Sequence, residues 1–324
     1  MAQDIVFDGG SEADRRRVLE LQQAYLDANA SFDWEALAKR KPGLVMLSSC
    51  LRGQTGPERA YTGFGLQGAG LAGFCAITGW PDRMPTGPWG AYTDFIAPRY
   101  SLAALGAALF HRARTGEGQY IDLSQVEASI HFLEPLVLDY TVNGRIAGLA
   151  GTSSERASPH GIFPTAGEQR YVAIAVETAA QWRALRALVP GLAGFAGAEW
   201  DDLAARIGAK ARLETPVAEW CREQEAFACA ERLREVGVPA YVALRATDLH
   251  ADPQLRERGF FVEHDHPRVG KALYDGPVTL FSATPARITR AGPAVGQDSF
   301  EVMTQILGYD EEAVAELAAA GVLS

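Results

Sequence analysis

Gly90-Ala91-Tyr92-Thr93-Asp94, the stretch 95–114 behind it, and Arg114-Thr115-Gly116-Glu117-Gly118-Gln119-Tyr120-Ile121-Asp122-Leu123-Ser124 decide how this chain folds. Leu102, Leu105 and Leu109 recur at helical spacing, with alanine and glycine between them. The stretch ends on His111-Arg112-Ala113-Arg114 and Gly116. Cations in a last turn, with glycine just past it, are helix-stop signals. Tyr120-Ile121-Asp122-Leu123 then reads as a short strand, and Gln125 to Val142 as a second helix closed by Asn143-Gly144.

Upstream, Leu44-Val45-Met46-Leu47-Ser48-Ser49 follows Gly43 and reads as a buried strand of a parallel sheet. Residues 11–40 read as helix, with Val18, Leu19, Leu21 and Tyr25 on one stripe. Between the strand and Asp94 lies a glycine-rich passage from Gly53 to Gly90, interleaved with Phe64, Leu66, Leu71, Phe74 and Ile77. Apolar residues at that density want burial, so a tightly packed helix is expected around 64–78, then a turn-rich loop.

Downstream, Gly148 to His160 reads as a loop or domain boundary. Residues 171–176 are expected to form a strand, 178–235 to be mainly helical, and 238–242 and 260–263 to be further strands. Helices are expected from about Ser299 and Asp310. With 324 residues the length suits about two domains.

The composition, 48% hydrophobic and 22% charged, is that of a globular protein. A net charge of −10 opposes nonspecific binding to nucleic acid or anionic lipid, so neither is an expected partner. No run approaches the ~18 apolar residues of a membrane span. The acidic and polar start, Met1 to Arg17, does not read as a signal peptide, and the cytoplasm is the expected compartment. Cys50, Cys75, Cys221 and Cys229 lack CxxC spacing and paired histidines, so no metal site is expected.

Among residues that could carry chemistry, Asp94 stands just ahead of the 95–114 helix. Such a carboxylate can cap the helix and meet the positive end of its dipole, and an ionised carboxylate can also attack an activated acyl group. Position alone favours the cap. Asp122, at a strand edge, and Asp139, within a helix, read as structural or solvated. Of six histidines, only His160 stands in a glycine-containing loop, Ser158-Pro159-His160-Gly161, whereas His264 and His266 read as a surface turn. GxSxG, P-loop and HExxH motifs are absent, and Gly63-Phe64-Gly65 lacks the preceding strand of a dinucleotide fingerprint.

Several segments in order resemble the class III (CaiB/BaiF-type) CoA-transferases. They are Phe32 to Leu37, Lys41 to Val45, Gly53-Gln54-Thr55-Gly56-Pro57, Leu71-Ala72-Gly73 with Thr78-Gly79, Ala91 to Asp94, and Arg114 to Ser124. Val236 to Ala240, Asp252-Pro253 and Arg258 to Phe261 continue the resemblance. It implies an α/β fold: a large Rossmann-type domain, N-terminally shortened, a smaller inserted α+β domain, and a C-terminal segment returning to the large one. The expected boundaries are 1–160, 161–262 and 263–324. The family's N-terminal nucleotide-binding βαβ unit is not evident in this sequence.

The resemblance further implies Asp94 as nucleophile, with coenzyme A passing from an acyl-CoA to a small carboxylic acid through aspartyl anhydride and aspartyl-CoA thioester intermediates. Gln54, Phe64, His160 and Gly161 are the expected CoA-binding residues, the last two in a loop that shields the site. An interlaced homodimer, or a heteromer with a homologous chain, is the expected assembly. Alternative readings are a partner-dependent or inactive subunit and, within the same fold, an α-methylacyl-CoA racemase. The racemase needs a proton-exchanging histidine in the glycine-rich segment, where this chain has Phe64. Phe64, Phe74, Trp80 and Trp89 suit either a bulky acyl group or the core.

Overall fold

A computed structural model describes residues 34–322. The part of the 11–40 helix before Trp34, and the resemblance at Phe32-Asp33, lie outside the described residues. The chain divides into two compact units, one up to Gly161 and one from Ile162.

In the first unit, α1 (Trp34–Arg40) leads to β1 (Val45–Cys50), which pairs in parallel with β2 (Gln119–Ser124), Val45 opposite Gln119 and Cys50 opposite Ser124. The two strands are joined through α2 (Gly65–Leu71), α3 (Phe74–Ile77) and α4 (Tyr92–Thr115). The single helix expected over 64–78 is two short ones, because Gly73 takes φ +98° and breaks the run. The helix expected over 95–114 begins earlier, at Tyr92, and ends as expected with Gly116 at φ +81°. The second helix is also interrupted: α5 (Gln125–Ile130) gives way to a 3₁₀ turn at His131–Leu133 before α6 (Glu134–Asn143). Pro135, in the first turn of α6, lacks the amide hydrogen that an unbroken helix would need there. Leu51, Ala69, Phe74, Ile96 and Val126 form the core of this unit, where Phe74 meets Tyr92 edge to face at 5.1 Å.

Strand β3 (His160–Pro164) begins with the last two residues of the first unit and continues into the second, where β3, β4 (Tyr171–Ala175) and β5 (Ala240–Val242) form a sheet in that order, β4 and β5 antiparallel. Helices α7 (Ala179–Leu188), α8 (Leu203–Gly208), α9 (Lys210–Arg222) and α10 (Ala226–Glu235) occupy the region between β4 and β5 in sequence. Val172 and Ile174 of β4 are buried in one core with Trp182, Leu185, Leu213 and Leu233 from these helices. Cys221 and Cys229 are buried in the same core, their sulfurs 3.9 Å apart. Arg206 is fully buried, and the carbonyls of Glu177, Trp200 and Asp201 accept its N–H groups at 2.9–3.0 Å. The short helices α11 (Ala246–Ala251) and α12 (Pro253–Glu257) precede a hairpin of β6 (Phe261–His266) and β7 (Gly270–Asp275). His264 and His266 therefore lie in a strand, not a surface turn, and His264 Nε2 donates to the Ile288 carbonyl at 3.1 Å. The chain continues to α13 (Ser299–Glu301), a π turn and α14 (Glu311–Ala319).

Two stability tests follow from these contacts. A β-carbon at Gly118 would lie 1.7 Å from the Leu44 carbonyl oxygen, whereas one at Gly106 in α4 would meet open space. Urea titration is expected to show Gly118→Ala losing about 3 kcal/mol or more, and Gly106→Ala gaining up to ~1 kcal/mol from helix propensity. The Asp248 carboxylate accepts the Arg245 amide N–H at 2.8 Å and an Arg170 N–H at 2.5 Å, which hold its pKa below the usual carboxylate value. A depressed folded-state pKa gives stability that is complete above the unfolded value, about 3.9, and is lost as pH falls through the folded value. The melting-temperature gap between the parent and Asp248→Asn should therefore be full at about pH 7 and close below about pH 4.

Candidate active site

Asp94 is not the N-cap of its helix. Ala91 holds that position, without a polar side chain to offer, and Asp94 is the third helical residue. Its carboxylate keeps the favourable end of the helix dipole, but it is exposed and, among the described residues, makes no hydrogen bond or ion pair. Pro98, four residues on, has no amide hydrogen to give the Asp94 carbonyl.

The position of Asp94 is set by the crossing of α2 and α4. Thr93, fully buried, donates from Oγ1 to the Gly65 carbonyl at 3.1 Å. A β-carbon at Gly65 would lie 2.4 Å from the Ala91 Cβ and 2.8 Å from Asp94 Oδ2. One at Gly68 would lie 2.7 Å from Thr93 Oγ1. The carboxylate thus rests against the bare backbone at the start of α2, directly after Phe64. Phe64 is the N-cap of that helix, donates its amide N–H to Gln67 Oε1 at 3.1 Å, and leaves its ring 79% exposed.

Gln54 sits in the turn after β1. Its backbone N–H donates to both oxygens of Asp122 at 3.0 Å, and its side-chain amide donates to Ser48 Oγ at 2.6 Å. Gly53, at φ +82°, makes that turn possible. His160 and Gly161 do not lie in a loop: they open strand β3, Gly161 is buried, and His160 Nδ1 donates to the Thr152 carbonyl at 2.7 Å. A loop was expected because Pro159 and Gly161 are both strand breakers locally, but pairing within the sheet overrides them. Direct contact brings together Asp94 and Gly65, next to Phe64. Gln54 is anchored on β1 and β2, and His160 on Thr152.

Of the four aromatic residues, Phe74 belongs to the core, whereas Phe64, Trp80 and Trp89 are exposed, Trp89 by 97%. Gly65, Thr93 and Asp122 were not singled out for the site from sequence. For the first two the available signal was the small face Gly65, Gly68, Ala69 and Ala72 at helical spacing. Among the described residues no group of three or more His, Cys, Asp or Glu is placed to hold a metal, and no helix is long and apolar enough to cross a membrane.

The family model for CoA-transferase family III matches residues 22–299. Succinyl-CoA–D-citramalate CoA-transferase from Chloroflexus aurantiacus is 33% identical over 293 residues, spanning 90% of this chain and 72% of that protein. The alpha subunit of succinyl-CoA–L-malate CoA-transferase from the same organism is 28% identical over 285 residues, spanning 88% of this chain and 66% of that one. The crystal structure of a CaiB/BaiF family protein from Brucella suis superposes with a TM-score of 0.77 at 25% identity, covering 88% of this chain and 73% of that one. In sequence and in its mixed α/β architecture, the chain belongs to CoA-transferase family III, the class III enzymes of CaiB/BaiF type.

Proposed function

We propose that this chain moves CoA from an acyl-CoA to a carboxylic acid with Asp94 as the nucleophile. The observation that supports this most directly is the exposed Asp94 carboxylate, fixed at a helix start and engaged by no cation or amide among the described residues. An Asp94 oxygen attacks the thioester carbonyl and expels CoA thiolate, leaving a mixed anhydride. The thiolate attacks the aspartyl carbonyl, releases the donor carboxylate and gives an aspartyl-CoA thioester. The acceptor carboxylate attacks that thioester, expels the thiolate again and forms a second anhydride. The thiolate then attacks the acceptor's acyl carbon, which yields the new acyl-CoA and returns Asp94 as a free carboxylate. Each addition develops an oxyanion that amide donors must meet.

Gln54 and Phe64, both exposed, are assigned to CoA contact together with His160 and Gly161. Succinyl-CoA is the favoured donor and a small dicarboxylate such as D-citramalate the favoured acceptor, by analogy with the relatives named above. The assembly reading is an interlaced homodimer or a heteromer. The homodimer has the exposed apolar side chains Leu102, Phe110 and Val142 of α4 and α6 in its support. The heteromer, and with it a partner-dependent subunit, has in its support relatives named as alpha and beta subunits.

Incubating the purified chain with succinyl-CoA should yield a CoA adduct that hydroxylamine removes, and adding D-citramalate should yield its CoA thioester. Asp94→Asn should lose adduct and turnover by about a thousandfold or more. Retention of both would sink the nucleophile assignment, whereas an inactive parent revived by a homologous chain would establish the subunit reading.

A further inference from the structure

The crossing of α2 and α4 does more than pack two helices, because the atoms that close it surround the proposed nucleophile. Gly65 has no unusual backbone conformation: unlike Gly53 or Gly73 it does not take positive φ, so an L-residue could adopt its torsions. Space is what forbids a larger residue. The β-carbon of an alanine there would stand 2.4 Å from Ala91 Cβ, 2.6 Å from Ala91 Cα and 2.8 Å from Asp94 Oδ2. Two of these neighbours belong to the turn that starts α4, and the third is the reacting carboxylate itself. Independently, the buried Thr93 hydroxyl donates to the Gly65 carbonyl at 3.1 Å, tying the residue before Asp94 to the same point. Elsewhere on α2 the contacts differ. Among the described residues a β-carbon at Gly70 would meet only Cys75 Sγ, at 3.9 Å, and one at Gly68 would press first on Thr93 and Leu51, not on Asp94.

We propose that Gly65 and Thr93 are positioning residues for the transfer reaction: Gly65 by leaving the volume in which the Asp94 carboxylate lies, Thr93 by fixing the first turn of α4 against the Gly65 carbonyl. This rests on the reading of Asp94 as nucleophile. A carboxylate that makes no hydrogen bond among the described residues takes its direction from the backbone beneath it and from the surfaces it touches. Displacing it by part of an ångström moves the attacking oxygen off its line to the thioester carbonyl without removing any group that binds CoA.

The test uses the full chain, succinyl-CoA as probe, and the rate of hydroxylamine-sensitive adduct formation followed by mass spectrometry, together with kcat and KM. Gly65→Ala should slow adduct formation and kcat by about 10- to 100-fold, with KM for succinyl-CoA within about twofold of the parent, while Gly70→Ala matches the parent. Thr93→Val should slow the adduct about tenfold, and Thr93→Ser, which keeps the hydroxyl, should restore it. A folded Gly65→Ala that forms adduct at the parental rate overturns the proposal. So does a Thr93→Ser as slow as Thr93→Val, since loss of packing alone would then explain the defect. Should Gly65→Ala fail to fold, the Thr93 pair decides. Asp94→Asn separates the two levels: if it still forms adduct, or if the parent forms none even with a homologous chain added, the nucleophile reading itself falls. If Asp94→Asn is dead and Gly65→Ala is normal, only the positioning role falls.

Discussion

Helices α2 and α4 can meet only where α2 presents no side chain, and the placement of Asp94 depends on that contact. Gly65 and Gly68 face Ala91 and Thr93 at distances that leave no room for a β-carbon on α2. Each glycine costs roughly 0.5–1 kcal/mol of helix stability relative to alanine. The close approach offsets that cost by burying Ala69, Ile96 and Ala97 and by satisfying the Thr93 hydroxyl, a bond of about 1 kcal/mol net. The geometry of the crossing places Asp94 at the edge of this buried seam, so that the backbone beneath it is held while its carboxylate stays open.

Asp94 and Asp122 are two carboxylates of the same unit held in different surroundings. Asp122, on β2, accepts the Gln54 amide N–H at 3.0 Å and so holds the turn that leaves β1. That turn is fixed again by Ser124, whose hydroxyl donates to the Leu51 carbonyl at 3.3 Å. A carboxylate whose lone pairs are already committed to amide donors is a poor nucleophile, because an attack must first break those bonds. Asp94 has no such commitment among the described residues. The chemical difference between the two therefore lies in their neighbours, and those neighbours are set by which strand or helix end each occupies.

The aromatic residues divide along a similar line. Phe74 packs against Tyr92 and anchors the start of α4 from the core side. Trp80 is half held: Gly151, at φ +57°, comes so close to its ring that any side chain there would clash, and the Gly151 amide N–H donates to the Gly79 carbonyl at 2.8 Å. Trp89 and Phe64 have no comparable cover among the described residues. Both exposed rings stand in segments that run into Ala91 and Gly65.

What could be read from sequence follows from what is periodic or local. The parallel pair of β1 and β2, the end of α4 at Gly116 and the strand at Tyr171–Ala175 each announce themselves through apolar runs or stop signals, and each is present within a residue or two. The start of α4 is not legible in the sequence because its first turn is held by tertiary contact, Thr93 to Gly65, 28 residues away, and not by a polar cap. The same logic hid the strand character of His160: proline and glycine on either side argue for a loop, and only the neighbouring strand β4 outweighs them. At the site the limit is sharper still. A glycine conserving torsional freedom and a glycine conserving volume look identical in sequence, and Gly53 is the first kind while Gly65 is the second. Only the partner across the gap distinguishes them, and for Gly65 that partner includes the Asp94 carboxylate.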